Sequence, residues 1–252
     1  MSKQFWAVIA IVILIFVGIF FVSNNSNSSS GGTNSSAKAS NHTLGTSAHN
    51  ITLVEYGDYQ CPFCGQYFPI LKQIQAEYND KIVFQFRNYP LTQIHQNAFA
   101  GSRAAEAAAL QNKFWEMHDI LYQQNELSQQ GQSNWVSSSN PLTFFDQYAT
   151  QLGLNINKFN SDFNSNQING AINADVAAGN AASQAVTHKD IQGTPTFFLD
   201  GKIVSVGESA ASFESVINKE IAKKTGQSTP ATTTPSAGTG STAQTKSTTK
   251  AQ

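Results

Sequence analysis

Apolar residues are distributed along the 252-residue chain in three different ways. Residues 5–22 form an unbroken run of 18 apolar or glycine positions, within the lower range for a membrane-spanning helix. Residues 23–50 are rich in Ser, Asn and Gly and lack periodicity, which predicts a flexible linker. Residues 226–252 are Thr/Ser/Ala/Gly/Pro-rich and are expected to be a disordered tail. Only over 51–225 do apolar positions recur with the periods of folded elements.

Within that region "ITLVEYGD" is a short β-rich run ending in a turn signal, which predicts a buried strand. Pro62 suits the first turn of a following helix, where a missing N–H costs nothing. Phe68, Leu71, Ile74, Gln75 and Tyr78 continue at helical spacing. "KIVFQFRNYP" predicts a second strand. From about residue 96 to 187 strand signals vanish and Ala-rich helical runs take over. "TPTFFLDGKIVSVG" reads as two strands joined through Asp200-Gly201, a strong hairpin signal. Phe213, Val216, Ile217 and Ile221 then mark the apolar face of a closing helix. This order predicts an α/β fold whose second strand returns parallel to the first through a crossover helix.

Charge changes the picture little. Net charge is −1 and only 12% of residues are charged, so there is no basic footprint and no nucleic-acid partner is expected. Lys3 is the only charge before the apolar run and none follows until Lys38. The positive-inside bias therefore leaves residues 1–4 in the cytoplasm and sends the rest outside. A cleaved signal peptide is the competing reading, but its apolar stretch is usually shorter, roughly 7–15 residues, and closes on small residues. Here Phe20, Phe21 and Val22 run straight into "SNNSNSSS", a poor cleavage site. The expectation is a single-pass protein of the cell membrane with its domain on the extracytoplasmic side, or a secreted one if the run is removed. Disulfides persist in either location.

The two cysteines, Cys61 and Cys64, are separated by Pro62 and Phe63. A bridge across two residues constrains almost nothing, so its use lies in being made and broken. At the start of a helix Cys61 would meet free N–H groups and the positive end of the dipole, which favour its thiolate. Cys64, one turn later, would be more buried and would resolve a mixed disulfide. A static disulfide or two inert thiols is the alternative. Zinc needs about four ligands, and none of the 5 histidines is spaced as a pair, so no metal site is expected.

"CPFC" after "VEYGDYQ", with "GTPTFF" far downstream and a helical block between, resembles the DsbA-type thiol–disulfide oxidoreductases. "FRNYPLTQIHQNA", "AAEAAALQNKFWEMHDILYQ", "YATQLGLNINKF" and "DIQGTPTFFLDGK" resemble segments of that family in the same order, over about residues 51–224. The resemblance implies a thioredoxin-like fold with an inserted all-helical block at about 96–187, behind the N-terminal membrane helix. It makes Cys61 the attacking thiol, Cys64 the resolving one, and Pro195 a cis-proline facing the pair. Thr194 would then offer its backbone to an extended substrate, with Pro62 and Phe63 on the same substrate-facing surface. Glu55 falls where related enzymes carry a buried acid able to take the Cys64 proton through water; a solvated strand-end charge is the plainer alternative. Turn formation accounts for Asp58, and helix initiation and packing for His95. Phe114, Trp115 and Met117 are expected in the core of the helical block rather than on a peptide-binding surface. The strongest oxidants of the family carry His where this chain has Phe63, which removes a charge that would favour the Cys61 thiolate.

The function expected is oxidation of substrate cysteines by exchange through Cys61–Cys64, with no cofactor. Its partners would be cysteine-containing extracytoplasmic proteins and a membrane redox partner that reoxidises the pair. A reductase or isomerase using the reduced pair, and a non-enzymatic peptide-binding chaperone, are the alternatives.

Overall fold

The computed structural model describes residues 37–226. The apolar run at 5–22, most of the linker and nearly all of the tail lie outside them. Among the described residues no helix is long and apolar enough to cross a membrane.

Among the described residues five strands form one mixed sheet in the order β1-β3-β2-β4-β5. Strand β2 (Thr52–Gly57) runs parallel to β3 (Val83–Asn88), with Glu55 opposite Phe86. Parallel neighbours need a crossover, and helix α1 (Pro62–Tyr78) supplies it. Strand β4 (Thr196–Leu199) pairs antiparallel with β2 and turns back into β5 (Lys202–Val204). The turn is Asp200-Gly201, both with positive φ (47° and 75°), the conformation a two-residue hairpin requires and Gly supplies without strain.

Between β3 and β4 the chain makes five helices: α2 (Ala98–Ala109), α3 (Phe114–Gln129), α4 (Leu142–Gln151), α5 (Ile156–Phe163) and α6 (Asn166–Thr187). Asn155 and Ser165 cap α5 and α6 by accepting from Lys158 N and Ile168 N. Helix α7 (Ala210–Thr225) closes the fold, burying Phe213 and Ile217. Strand alternation separates two cores. Leu53 joins the large one, with Leu71, Phe84, Phe86, Phe114 and Met117, while Tyr56 faces the other with Tyr89, Ile191 and Phe198. Trp115 packs half-buried against the large core.

One expectation needs correction. The Ser/Asn-rich stretch, expected to be a flexible linker as far as residue 50, joins the sheet before that. His42–Leu44 is β1, antiparallel to β3, with His42 opposite Phe86. Its anchors are polar, so apolar periodicity gives no sign of them. The backbone N–H and hydroxyl of Ser40 both donate to buried Asp175 on α6, at 2.8 and 2.6 Å. His42 Nε2 lies 2.9 Å from Glu106 on α2 and its ring stacks on Phe114.

Candidate active site

Parallel strands β2 and β3 end at the same edge of the sheet, and the turn from Asp58 to Gln60 delivers the chain there to α1. Cys61 is the residue that precedes the first turn of that helix, with Pro62 at its start. Its sulfur lies 3.3 Å from the carbonyl oxygen of Thr194, across from the cis peptide bond joining Thr194 to Pro195. The thiol of Cys61 is pulled down to about 6. A hydrogen bond from the Cys64 thiol is the main cause; burial opposes it, and Thr194 and the N–H groups of Cys64 and Phe63 reinforce it. Among the described residues the Thr194 hydroxyl has no other partner.

Cys64 differs in every respect. It is wholly buried, and its thiol is pushed far up by burial, by its own hydrogen bond to Cys61 and by the charges of Cys61 and Glu55. Its sulfur accepts from the backbone N–H of Asp58 at 3.5 Å. Below lies Glu55, 1% exposed rather than a solvated strand-end charge. Burial, then the Cys61 charge, raises its carboxyl to about 8. Phe63 stands outside the pocket at 57% exposure.

Two residues do more than their expected parts. Asp58 makes the turn, accepting from Gln60 N at 2.8 Å, but it also accepts from Leu91 N at 2.9 Å and faces His95 Nδ1 at 2.7 Å. His95 is therefore not only packing. The hydrogen bond to Asp58 raises its pKa, and the Cys61 charge adds to the rise. A further set went unpredicted because nothing in the sequence distinguishes one amide on a helix from another. Asn125 of α3 donates to the carbonyls of Tyr59 and Cys61 at 2.8 and 2.9 Å. Gln60 and Asn97 together tie the active-site turn to Val136 in the helical block. A shallow apolar cavity of about 290 Å³ opens beside Leu44, Tyr78 and Ile82. It sits at the far end of α1, some 25 Å from Cys61 at 1.5 Å per residue. Among the described residues no cluster of His, Cys, Asp and Glu could hold a metal ion.

This arrangement, a strand–turn–helix carrying a low-pKa thiol at the helix start beside a cis-proline loop, is of thioredoxin type. The thioredoxin family profile matches residues 37–219, and the chain belongs to that family. The fold is that of BdbD from Bacillus subtilis, with a TM-score of 0.58 and 20% identity over 74% of this chain and 97% of that one. It is also that of a thioredoxin-like oxidoreductase from Silicibacter pomeroyi (0.55, 20%, covering 71% and 91%) and of oxidoreductase DsbA from Xylella fastidiosa (0.53, 18%, covering 71% and 92%). The helical insertion is common ground with these DsbA-type proteins. In sequence, the chain is also similar to proteins named Na(+)/H(+) antiporter NhaA. The one from Mycolicibacterium gilvum is 32% identical over 164 residues, 64% of this chain, and that from Salinispora tropica 35% over 162 residues, also 64%. The matched stretch makes up only 23% and 22% of those proteins.

Proposed function

We propose that the protein is an extracytoplasmic thiol–disulfide oxidoreductase, tethered through residues 5–22, that oxidises pairs of cysteines in other proteins. A substrate thiolate attacks Cys61 of the Cys61–Cys64 disulfide, and Cys64 departs and takes up a proton. A second substrate thiolate then attacks the substrate sulfur and releases Cys61 as its thiolate. The substrate leaves with a disulfide and the enzyme is left as a dithiol, to be reoxidised by a membrane partner. Thr194 and Pro195 would hold the substrate chain as an added strand, with Pro62 and Phe63 at the rim.

The observation that carries this reading is the split between the two thiols. A thiolate held near pKa 6 at Cys61 stabilises the dithiol form, and a stabilised dithiol makes the disulfide the stronger oxidant. Against an ordinary thiol, that split favours reduction of the pair about tenfold at pH 7, or about 30 mV. Equilibration with glutathione across a range of pH tests it. Below about pH 6 the potential should fall by about 59 mV per unit, as two protons accompany two electrons; above it, by about 30 mV, since only Cys64 still binds one. A single slope through pH 8 would mean that no thiolate is stabilised. Cys61→Ser should abolish oxidation of a reduced substrate protein, and Cys64→Ser should accumulate the mixed disulfide at Cys61. A mixed disulfide trapped at Cys64 in Cys61→Ser, with none at Cys61 in Cys64→Ser, would reverse the two roles.

A further inference from the structure

Beneath Cys64 the protein buries more polar atoms than it pairs. Both oxygens of Glu55 and the hydroxyls of Tyr59 and Tyr122 are sealed from solvent, with no hydrogen-bond partner among the described residues. Interiors rarely leave such groups alone, so each one calls for an explanation. Directly across the sheet Glu55 meets only Phe86 on β3 and Phe197 on β4. The polar groups above it come from the turn after β2, which brings Tyr59, and from α1 and α3.

Helix α1 offers Cys64 and helix α3 offers Tyr122. The position of the Tyr122 hydroxyl is set by Gly57. A Cβ on Gly57 would stand 2.7 Å from the Tyr122 oxygen and 2.5 Å from the Phe86 ring. Glu55 and Gly57, two apart on one strand, face the same side of the sheet. The absent side chain of Gly57 is thus the slot that the Tyr122 hydroxyl fills, next along the strand from the Glu55 carboxyl. Cys64 reaches the same spot, since its sulfur is held by the N–H of Asp58, the residue after Gly57. Cys64 and Glu55 are also the two strongest charges acting on the Tyr122 phenol.

We propose that Tyr122 is a positioning residue for the exchange step at Cys64: its hydroxyl, seated in the Gly57 slot and unbonded while Glu55 is neutral, turns to donate to the Glu55 carboxylate once that group ionises and aims it at the Cys64 thiol. The proposal rests on the dithiol-exchange reading above. In the step, the Cys64 S–H proton passes to Glu55. The Cys64 sulfur then gives an electron pair to Cys61 as the Cys61–substrate S–S bond breaks, and the substrate sulfur leaves with that bond's pair as a thiolate. In the oxidising direction the same path runs backwards, and Glu55 returns the proton to departing Cys64. The other ionisable groups facing this pocket are Cys61, just ahead of α1, Asp58 and Tyr59 from the preceding turn, and His118 of α3, packed against the Tyr59 and Tyr122 rings.

The test uses thionitrobenzoate as the leaving thiol. Full-length reduced protein is loaded at Cys61 with its disulfide, and release by Cys64 is followed by absorbance as pH is varied. Wild type, Tyr122→Phe, Glu55→Gln and the double variant are compared. Loss of a hydrogen bond to the charged carboxylate should move the release profile of Tyr122→Phe up by about one pH unit, hence about tenfold slower release at pH 7. Loading at Cys61 should stay within about twofold of wild type, since the thiolate is held by other groups, and Tyr122→Phe should add nothing in the Glu55→Gln background. Superimposed wild-type and Tyr122→Phe profiles, or equal slowing with and without Glu55, would overturn the proposal. The infrared carboxylate band of ionised Glu55, identified above about pH 9 by its loss in Glu55→Gln, should also shift in Tyr122→Phe, and an unmoved band counts against the idea. That band needs no turnover. It still decides the question if wild type fails to release thionitrobenzoate, a result that would sink the exchange function itself.

Discussion

Two carboxylates are buried in this domain under opposite conditions. Asp175 accepts from the backbone N–H and hydroxyl of Ser40, the Arg87 guanidinium, and the backbone N–H and side-chain amide of Asn88. Glu55 accepts from no described residue, and its carboxyl is pushed up to about 8. Asp175 ties three parts of the chain together: the segment before β1, the end of β3, and α6. Glu55 ties nothing. A buried charge with a full set of donors is a fastener, because removing any partner strands the others. A buried carboxyl without donors sits near the pH at which it gains and loses a proton, which suits it to chemistry.

The sharpest way to break this contrast is Asp175→Ala. It strands the Arg87 guanidinium and two donors of Asn88, and should cost about 3–5 kcal/mol in urea unfolding. A loss below about 1 kcal/mol would mean that the cluster fastens nothing. Glu55→Gln should act in the other direction. In the folded protein Glu55 keeps its proton up to about pH 8, whereas the unfolded chain releases it near 4.5. Stability should therefore fall as pH rises through that window, by up to about 1.4 kcal/mol per unit. Glu55→Gln abolishes the fall and should gain about 3 kcal/mol on wild type between pH 4 and pH 7. Parallel stability curves for the two proteins would remove the contrast.

Smaller effects sharpen the picture. Ser40→Ala deletes one charge-assisted donor to Asp175 and should cost about 1–2 kcal/mol. A protein starting after Ser40 loses both donors and should be weaker still, while one starting at residue 37 keeps them. Equal stability of the two truncated forms would return β1 to the status of a tether. The least effect is expected at His95→Gln. The His95 pKa is raised above 6.5, so its pairing with Asp58 stabilises fully below pH 6.5 and fades as pH climbs through the raised value. A loss of about 0.5–1 kcal/mol at pH 6 that shrinks by pH 8 is the expected result in thermal or urea melts. A pH-independent loss would show the ring acting through packing alone.

What the sequence discloses follows from the same division. The alternation in β2, the helical spacing of α1 and the Asp200-Gly201 hairpin are legible because apolar periodicity and turn chemistry are written locally. Cys61, Cys64 and Pro195 are legible because their residue types are rare and their spacing is distinctive. Ser40 and His42 were hidden by the polar stretch around them: what orders them is Asp175 and Glu106, more than sixty residues away. Asp175 and Asn125 sit on helices where one acid or amide resembles any other, and only the folded partners single them out. In the sequence Asp58 shows only as a turn residue because that is its local bond; Leu91 and His95 come from the next loop.

Asn125 carries one more consequence, in evolutionary terms. Its amide grips the carbonyl oxygens of Tyr59 and Cys61, groups that every residue possesses. The grip is indifferent to side chains, and Phe63 projects into solvent. Variation at position 63 is therefore uncoupled from the support of the loop. A lineage could retune the redox dipeptide at that position without redesigning the helix that holds it, whereas a change at Asn125 would disturb every version of the dipeptide alike.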